Sequence, residues 1–422
     1  MKKALIFLTV ISIIGLQLFA GGAKEISTGT GGPVTLTFMR TGTPEVLRGI
    51  FEPIIAEFEA NNPDIKIDMQ DLGWGDAEKT LQTMAASKTL PDLMYHLPGT
   101  IFDLADKGLI RDLSPYIDEG LRNDMYPSMM AAGQYKGKQY MMTTAGMTLM
   151  MWYHTEIFEK AGLDPNSPPQ NWDELLRAVE AIDKLEGVSG IGMYGKAGGG
   201  ETSFVFESLF TSAFGGPAWN SDTSRYVYDT PEGKRAAIEA LTLIQKLVPF
   251  AQDNVVEFGR FDCRTLLRDG KVGIVLDGVN LANQVGKEMA AGTIKAALLP
   301  ASPRGIVATA VNVGGWYIPT NSKYPDQTWR FLRYLMQTEN QVQHAKYGSV
   351  PILRSEAAYY QGDTYKATVT ASVGSSFAEG VSPKSNALWL STGEQLQKLI
   401  LGMQTPAETI ENINKEHNSI YK

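Results

Sequence analysis

Several things are scarce in this chain, and each scarcity removes a class of function. Cys263 is the only cysteine among 422 residues, so no intramolecular disulfide can form. Its neighbours Phe261, Leu266 and Leu267 imply a small buried side chain rather than a reactive thiol. The four histidines, His96, His154, His344 and His417, make no His-x-x-x-His or His-x-x-Glu-His pair, so no metal-ligand spacing stands out and no metal or cofactor is called for. There is no Gly-x-Ser-x-Gly turn and no phosphate loop ending in Gly-Lys-Ser/Thr; the Gly-rich run Ala197-Gly198-Gly199-Gly200 lacks the following Lys. Basic residues are outnumbered 46 to 38, a net charge of -8, which gives no electrostatic footprint for nucleic acid or anionic lipid. No internal repeat and no long charge run is found. A glycosidase-type carboxylate pair stays open, since acids are plentiful.

What is present is ordinary globular material. The 42 Gly and 21 Pro sit beside 43% hydrophobic residues, which points to many turns rather than to disorder. A chain of 422 residues exceeds one ordinary core, so two lobes are expected. Lys2-Lys3, an apolar run from Ala4 to Leu18 and the small residues Ala20 to Ala23 have the layout of a secretory signal peptide over residues 1–23. The run is shorter than the ~20 residues that span a bilayer, which argues against an uncleaved anchor. Residues 24–33 read as a flexible lead. From Val34 onward strands and helices alternate: Val34–Met39, Ile50–Ala60, Ile65–Met69, Ala77–Ser87, then Pro91–Tyr95. That rhythm argues for an α/β fold with a mostly parallel sheet covered on both faces. A second unit of the same kind follows, with helices Asp173–Leu185 and Pro231–Leu247 and strands Ile191–Tyr194 and Val272–Leu276.

One stretch carries more than fold class. Tyr135-Lys136-Gly137-Lys138-Gln139-Tyr140 is a turn between strand-like halves, followed by an apolar run to Trp152-Tyr153-His154. Then come Ile157-Phe158-Glu159-Lys160-Ala161-Gly162-Leu163 and a helix entry at Gln170-Asn171-Trp172-Asp173-Glu174-Leu175. This order resembles the extracellular solute-binding proteins of ABC importers, in the sugar and oligosaccharide branch. The likeness is strong in the Pro91–Asp112, Tyr135–Leu175 and Gly314–Arg354 blocks. It implies a periplasmic-binding-protein-like fold. The first lobe would comprise residues 34–145 plus 312–357 and the second 146–311 plus 358–422, with chain crossings near 145, 311 and 357 forming a hinge. It further implies non-enzymatic capture of a saccharide, delivery to the permease subunits of an ABC transporter, a periplasmic location and a monomer. Many such relatives are lipoproteins, but here Gly21 or Gly22 stands where the lipid-bearing Cys would be. Two rivals stay open: the same fold holding a polyamine, chelate or compatible solute, and an exported enzyme on this scaffold using Cys263.

Clefts in parallel α/β sheets open beyond the carboxyl ends of the strands, so candidate ligand contacts sit at strand exits. Near the first exit lie Thr43 and Glu45, short polar and acidic groups at a helix start, where an acid also suits the helix N-terminus. Trp74 stands between two glycines at the second exit, poorly placed for a core and well placed to face a cleft. At the third exit, His96 and Thr100 fall where maltodextrin-binding relatives carry aromatic and charged sugar contacts; a structural histidine fits His96 as well. Asn280 takes the place of a sugar-stacking Trp in the second lobe, and equally suits a turn or cap. Gly315 and Trp316 resemble a Gly-Gly-Trp turn that offers backbone and indole to a ligand. Trp389, ahead of a helix expected over Thr392–Leu401, resembles a cleft aromatic of the last segment. Trp74, Trp316 and Trp389 are expected to line one cleft, since a sugar has two faces to stack on.

Overall fold

The computed structural model describes residues 32–422 apart from 43, 197–199, 221, 222, 224 and 347, and the side chains of 44–46, 74–76 and 78 are likewise outside it. The signal-like segment and Thr43 therefore lie outside the described residues. The chain starts as its pattern dictates. Strand β1 (Val34–Thr41) feeds helix α1 (Pro44–Asn61), β2 (Ile65–Leu72) feeds α2 (Trp74–Ser87), and β3 (Leu93–His96) feeds α3 (Pro98–Asp106). β1 lies between β2 and β3 and is parallel to both. Leu36 and Phe38 of β1, Phe51 and Phe58 of α1 and Leu93 of β3 are buried together, so the apolar stripe of each element closes one core.

The turn at Lys136-Gly137 has both residues at positive φ, 49° and 74°, which suits a tight hairpin joining Gln134–Tyr135 to Lys138–Gln139. A long strand follows, β4 (Met142–His154). Helix α4 (Trp172–Asp183) begins on Asn171, whose side chain accepts from the Glu174 amide at 3.0 Å while Glu174 reaches back to the Gln170 amide at 2.7 Å. Beyond it lie β5 (Ser189–Gly192), α5 (Glu201–Phe214), α6 (Pro231–Leu247), α7 (Arg260–Arg268), β6 (Val272–Gly278) and β7 (Ile294–Ala297). The chain then returns through β8 (Thr309–Tyr317), α8 (Pro325–Leu335) and α9 (Thr338–Lys346). It ends with α10 (Thr364–Gly374), β9 (Ser376–Ala378), α11 (Ser385–Ile400) and α12 (Pro406–Tyr421).

The strands run in the order β2-β1-β3-β8-β4-β6-β5, with β7 on β4 and β9 on β8. Two strands belong to both lobes. β4 pairs with β8 through Met142–Thr148 and with β6 through Leu149–Tyr153, so it passes from one sheet to the other between Thr148 and Leu149. β8 pairs with β9 at Thr309–Val311 and with β3 at Gly315–Tyr317. Two hydrophobic cores result, one centred on Phe38, Phe51 and Trp316 and the other on Phe206, Phe210 and Tyr228. A third link runs from the turn Arg354–Ala358 into α10, which packs on β4 and β7. Among the described residues no helix is long and apolar enough to cross a membrane.

The interlobe cleft

The carboxyl ends of β1, β2 and β3 form one wall. Glu45 and Trp74 fall in the first turns of α1 and α2, with side chains outside the described residues. At the end of β1, Arg40 is buried with its guanidinium 3.2 Å over the centre of the Tyr95 ring. His96 is buried at 4% exposure, and its position on β3 pairs with Gly315 of β8. Thr100, the third residue of α3, is buried and lines a groove of about 680 Å3. Its other side is made by Pro383, Lys384 and Asn386 at the start of α11. The walls meet here: a Cβ on Gly99 would lie 3.4 Å from Cβ of Ser385. A second groove, of about 750 Å3 between residues 120–124 and 333–340, is lined by none of the candidate contacts.

The opposite wall is built from the exit of β6 and the starts of α5 and α11, and it is ionic. Arg264 holds Asp277 with two hydrogen bonds, 2.6 and 2.8 Å, and both residues are buried. The same guanidinium donates to Oδ1 of Asn280 at 2.7 Å. That turns the Asn280 carbonyl oxygen inward, and the Asn280 backbone abuts Gly348, where an added Cβ would come within 2.9 Å of Cα. One helical turn before Arg264, Arg260 pairs with Glu201 at 3.1 Å and reaches the Met147 sulfur on β4 at 3.3 Å. Sequence reasoning overlooked this set. Its signal was the i, i+4 spacing of Arg260 and Arg264 on one helix face, next to an Asp at a strand end.

Three aromatic and glycine expectations need correction. Trp316 has 0% exposure and is enclosed by Phe38, Phe51 and Tyr95, with ring centres 5.2, 5.6 and 5.4 Å away. All three belong to the first lobe, so Trp316 is a core residue and not a rim residue. Gly315 is set by packing: a Cβ there would sit 2.3 Å from the Met142 carbonyl oxygen of the neighbouring strand, beside the bulge at Gly314/Gly315. Gly314 is equally forced, since its Cβ would lie 2.1 Å from the Tyr95 hydroxyl. Trp389 lies within α11, not ahead of it, because that helix starts at Ser385. It is 7% exposed; its indole nitrogen donates to the Tyr226 hydroxyl at 3.2 Å, and Gly200 is close enough that a Cβ would touch the ring at 3.3 Å. Trp316 and Trp389 thus do not face one cleft. The structure brings together Thr100 with the start of α11, and Asn280 with Arg264 and Asp277.

Cys263 is fully buried, and burial beside Asp277 pushes its thiol well above the usual range. Among the described residues no group of three or more His, Cys, Asp or Glu is arranged to hold a metal. Two lobes, two shared strands and a polar cleft between strand ends define the architecture of a solute-binding protein. The sequence model of the bacterial extracellular solute-binding proteins matches residues 44–342, and the chain belongs to that family. A putative binding protein of Brucella abortus is 26% identical over 378 residues, covering 88% of this chain and 90% of that protein. The maltotriose-binding protein of Pyrococcus abyssi is 27% identical over 183 residues, covering 43% and 37%. Among solved structures, the Arthrobacter globiformis cyclic alpha-maltosyl-1,6-maltose binding protein superposes with a TM-score of 0.78 at 23% identity, over 92% of this chain and 99% of that one. A Thermotoga lettingae solute-binding protein bound with alpha-D-tagatose gives 0.77, also at 23%, over 92% and 100%.

Proposed function

We propose that this protein captures a mono- or oligosaccharide between its lobes and presents it to the permease subunits of an ABC importer. The observation that carries this reading is the pairing of family membership with a cleft whose second wall holds the polar groups Arg260 and Asn280, oriented by the buried Arg264–Asp277 pair and suited to the hydroxyl edges of a sugar. Relatives named for maltotriose, arabino-oligosaccharide and cyclic maltosyl-maltose binding favour the carbohydrate class over polyamine or chelate ligands. In this reading the lobes comprise 34–145 with 312–357 and 146–311 with 358–422, residues 1–23 direct export to the periplasm and are removed, and the mature protein acts as a monomer without catalysing a reaction. Thr100, Asn280 and Trp389 are retained as ligand contacts, together with Thr43, Glu45 and Trp74. The test is a thermal-shift and calorimetric screen of the mature chain against a saccharide panel. A ligand at a hundred times its Kd adds about 2.7 kcal/mol to stability, a clear rise in Tm. A panel without effect, beside a rise with a polyamine or a chelate, overturns the sugar assignment and leaves the fold intact.

A further inference from the structure

A second cluster of titratable groups lies behind the cleft's second wall, away from Arg264 and Asp277. Glu207 on α5 and Glu379, just after β9, are 2% and 7% exposed. One Glu207 oxygen accepts from the Gly380 amide at 2.9 Å, and the other faces the Tyr226 hydroxyl at 3.3 Å. Glu379 accepts from the side chain of Asn312, which stands on the shared strand β8, and its own amide donates to Val311 at 3.1 Å. The Tyr226 hydroxyl carries one proton and meets two acceptors, Glu207 and the Gly380 carbonyl at 3.2 Å, while it accepts from the indole of Trp389. A chain of polar contacts therefore runs from Glu207 through Tyr226 to the wall tryptophan, and Glu379 adjoins it through the next residue, Gly380, whose amide Glu207 holds.

No cation among the described residues pairs with either acid; every described Lys and Arg salt bridge goes elsewhere. The groups that face the pair are Tyr226 and Tyr228, then His417 and Tyr421 of α12, Asn312 of β8, and Trp389 of α11. His417 is held neutral by burial, its pKa pushed down to about 4, and its ring nitrogen is engaged with Thr392 at 2.9 Å. Arg225 is over the Tyr421 ring at 4.8 Å and bonds Asn418, so it serves the outer surface. Glu201, on the same helix as Glu207, is matched by Arg260. Two like charges shut into such a place without a counter-ion cannot both persist; burial pushes both acids upward, and the charge of Glu379 pushes Glu207 further.

We infer that Glu207 and Glu379 share one proton and that this pair, acting through Tyr226, positions Trp389 on the second wall of the cleft, so that the wall's geometry follows pH. Loss of the shared proton leaves Glu207 and Glu379 both anionic. Tyr226 then commits its proton to Glu207, and the acceptor that Trp389 bonds moves with it. The effect on ligand affinity rests on the saccharide reading; the titration itself does not. The test needs no ligand. Infrared difference spectra of the mature chain between pH 5 and pH 9 report protonated carboxyl groups. Emission of wild type minus Trp389→Phe isolates Trp389 from the other six tryptophans. Beside the carboxyl of Glu356, wild type is expected to show one further carboxyl losing its proton within this range, with a Trp389 emission transition at the same pH. Glu379→Gln, and independently Glu207→Gln, removes both transitions. Tyr226→Phe keeps the carboxyl transition and loses that of Trp389. A wild-type spectrum with both acids already ionised at pH 6 overturns the shared proton, without recourse to any variant. A Trp389 transition unchanged in Tyr226→Phe overturns the route. Failure of every sugar to bind changes neither readout.

Discussion

Trp316 and Trp389 occupy opposite kinds of site. Trp316 is caged by Phe38, Phe51 and Tyr95, and its indole nitrogen is buried with no hydrogen-bond partner among the described residues. Trp389 spends its indole nitrogen on the Tyr226 hydroxyl, which itself faces Glu207 and the Gly380 carbonyl. The first environment accepts an unmet N–H because tight aromatic packing outweighs it; the second specifies an orientation. An aromatic beside glycines is thus no sign of a ligand in itself.

The comparison breaks most visibly under truncation. Trp316→Ala removes a fully enclosed ring and should cost roughly 3–5 kcal/mol of stability, read as a shift in the urea midpoint, while leaving the ligand affinity of the folded fraction unchanged. Affinity lost in proportion to stability would return Trp316 to the cleft. On the ionic side, Asp277→Ala strands the buried Arg264 guanidinium and should cost about 3 kcal/mol, with Asp277→Asn milder because it keeps an acceptor. Equal melting of Asp277→Ala and wild type would mark the pair as screened by water.

Next in size comes pH. Glu356, whose carboxylate takes the amides of Ile352 and Leu353 at 2.9 and 2.7 Å, is pushed up to about 7 by burial. A raised acid contributes stability that is fully present below its unfolded value near 4.5 and lost as pH rises through 7. Glu356→Gln should abolish a fall on the order of 2–3 kcal/mol between pH 4.5 and 7.5. His344 and His417 act in the reverse sense. Burial, with Arg40 nearby for His344, pushes them down to about 3 and about 4, so their contribution is present above 6.5 and lost as pH falls through those values. A Tm profile that declines from pH 6.5 to pH 5 in Glu356→Gln, before the carboxylates protonate, reports the histidines; a flat one over that window counts against their burial. The smallest effect is that of Trp389→Phe, which keeps an aromatic ring and deletes one hydrogen bond, worth about 1 kcal/mol. A loss as large as that of Trp316→Ala would erase the distinction between the two sites.

The fold was largely legible because alternation and helical spacing report burial directly. The turn at Gly137, the cap at Asn171 and the strand–helix order of the first lobe all follow from local chemistry. The site was legible only in part. Thr100 and Asn280 stand just beyond strand ends, which is a local property of the chain. Trp316 was misread because its cage comes from residues 38, 51 and 95, distant partners that no local pattern reveals. The start of α11 was missed for a similar reason: Ser385 bonds the Ser382 amide at 2.7 Å and supports a helix start that Pro383-Lys384-Ser385-Asn386 does not advertise. Arg264 and Asp277 are readable from spacing, as a second Arg one turn along a helix face and an Asp at a strand end.

The pairing of β8 with β3 has a consequence for how the chain comes into being. Gly315, Trp316 and Tyr317 lie more than two hundred residues beyond His96, Tyr95 and Met94, yet they form the next strand of the same sheet. During synthesis the first lobe lacks both the strand beside β3 and the tryptophan at its centre until about three quarters of the chain has been made. Contacts of such long sequence separation fold slowly. A nascent chain that cannot close its first domain stays extended through most of its production, the state in which a polypeptide can be threaded across a membrane before it acquires a shape.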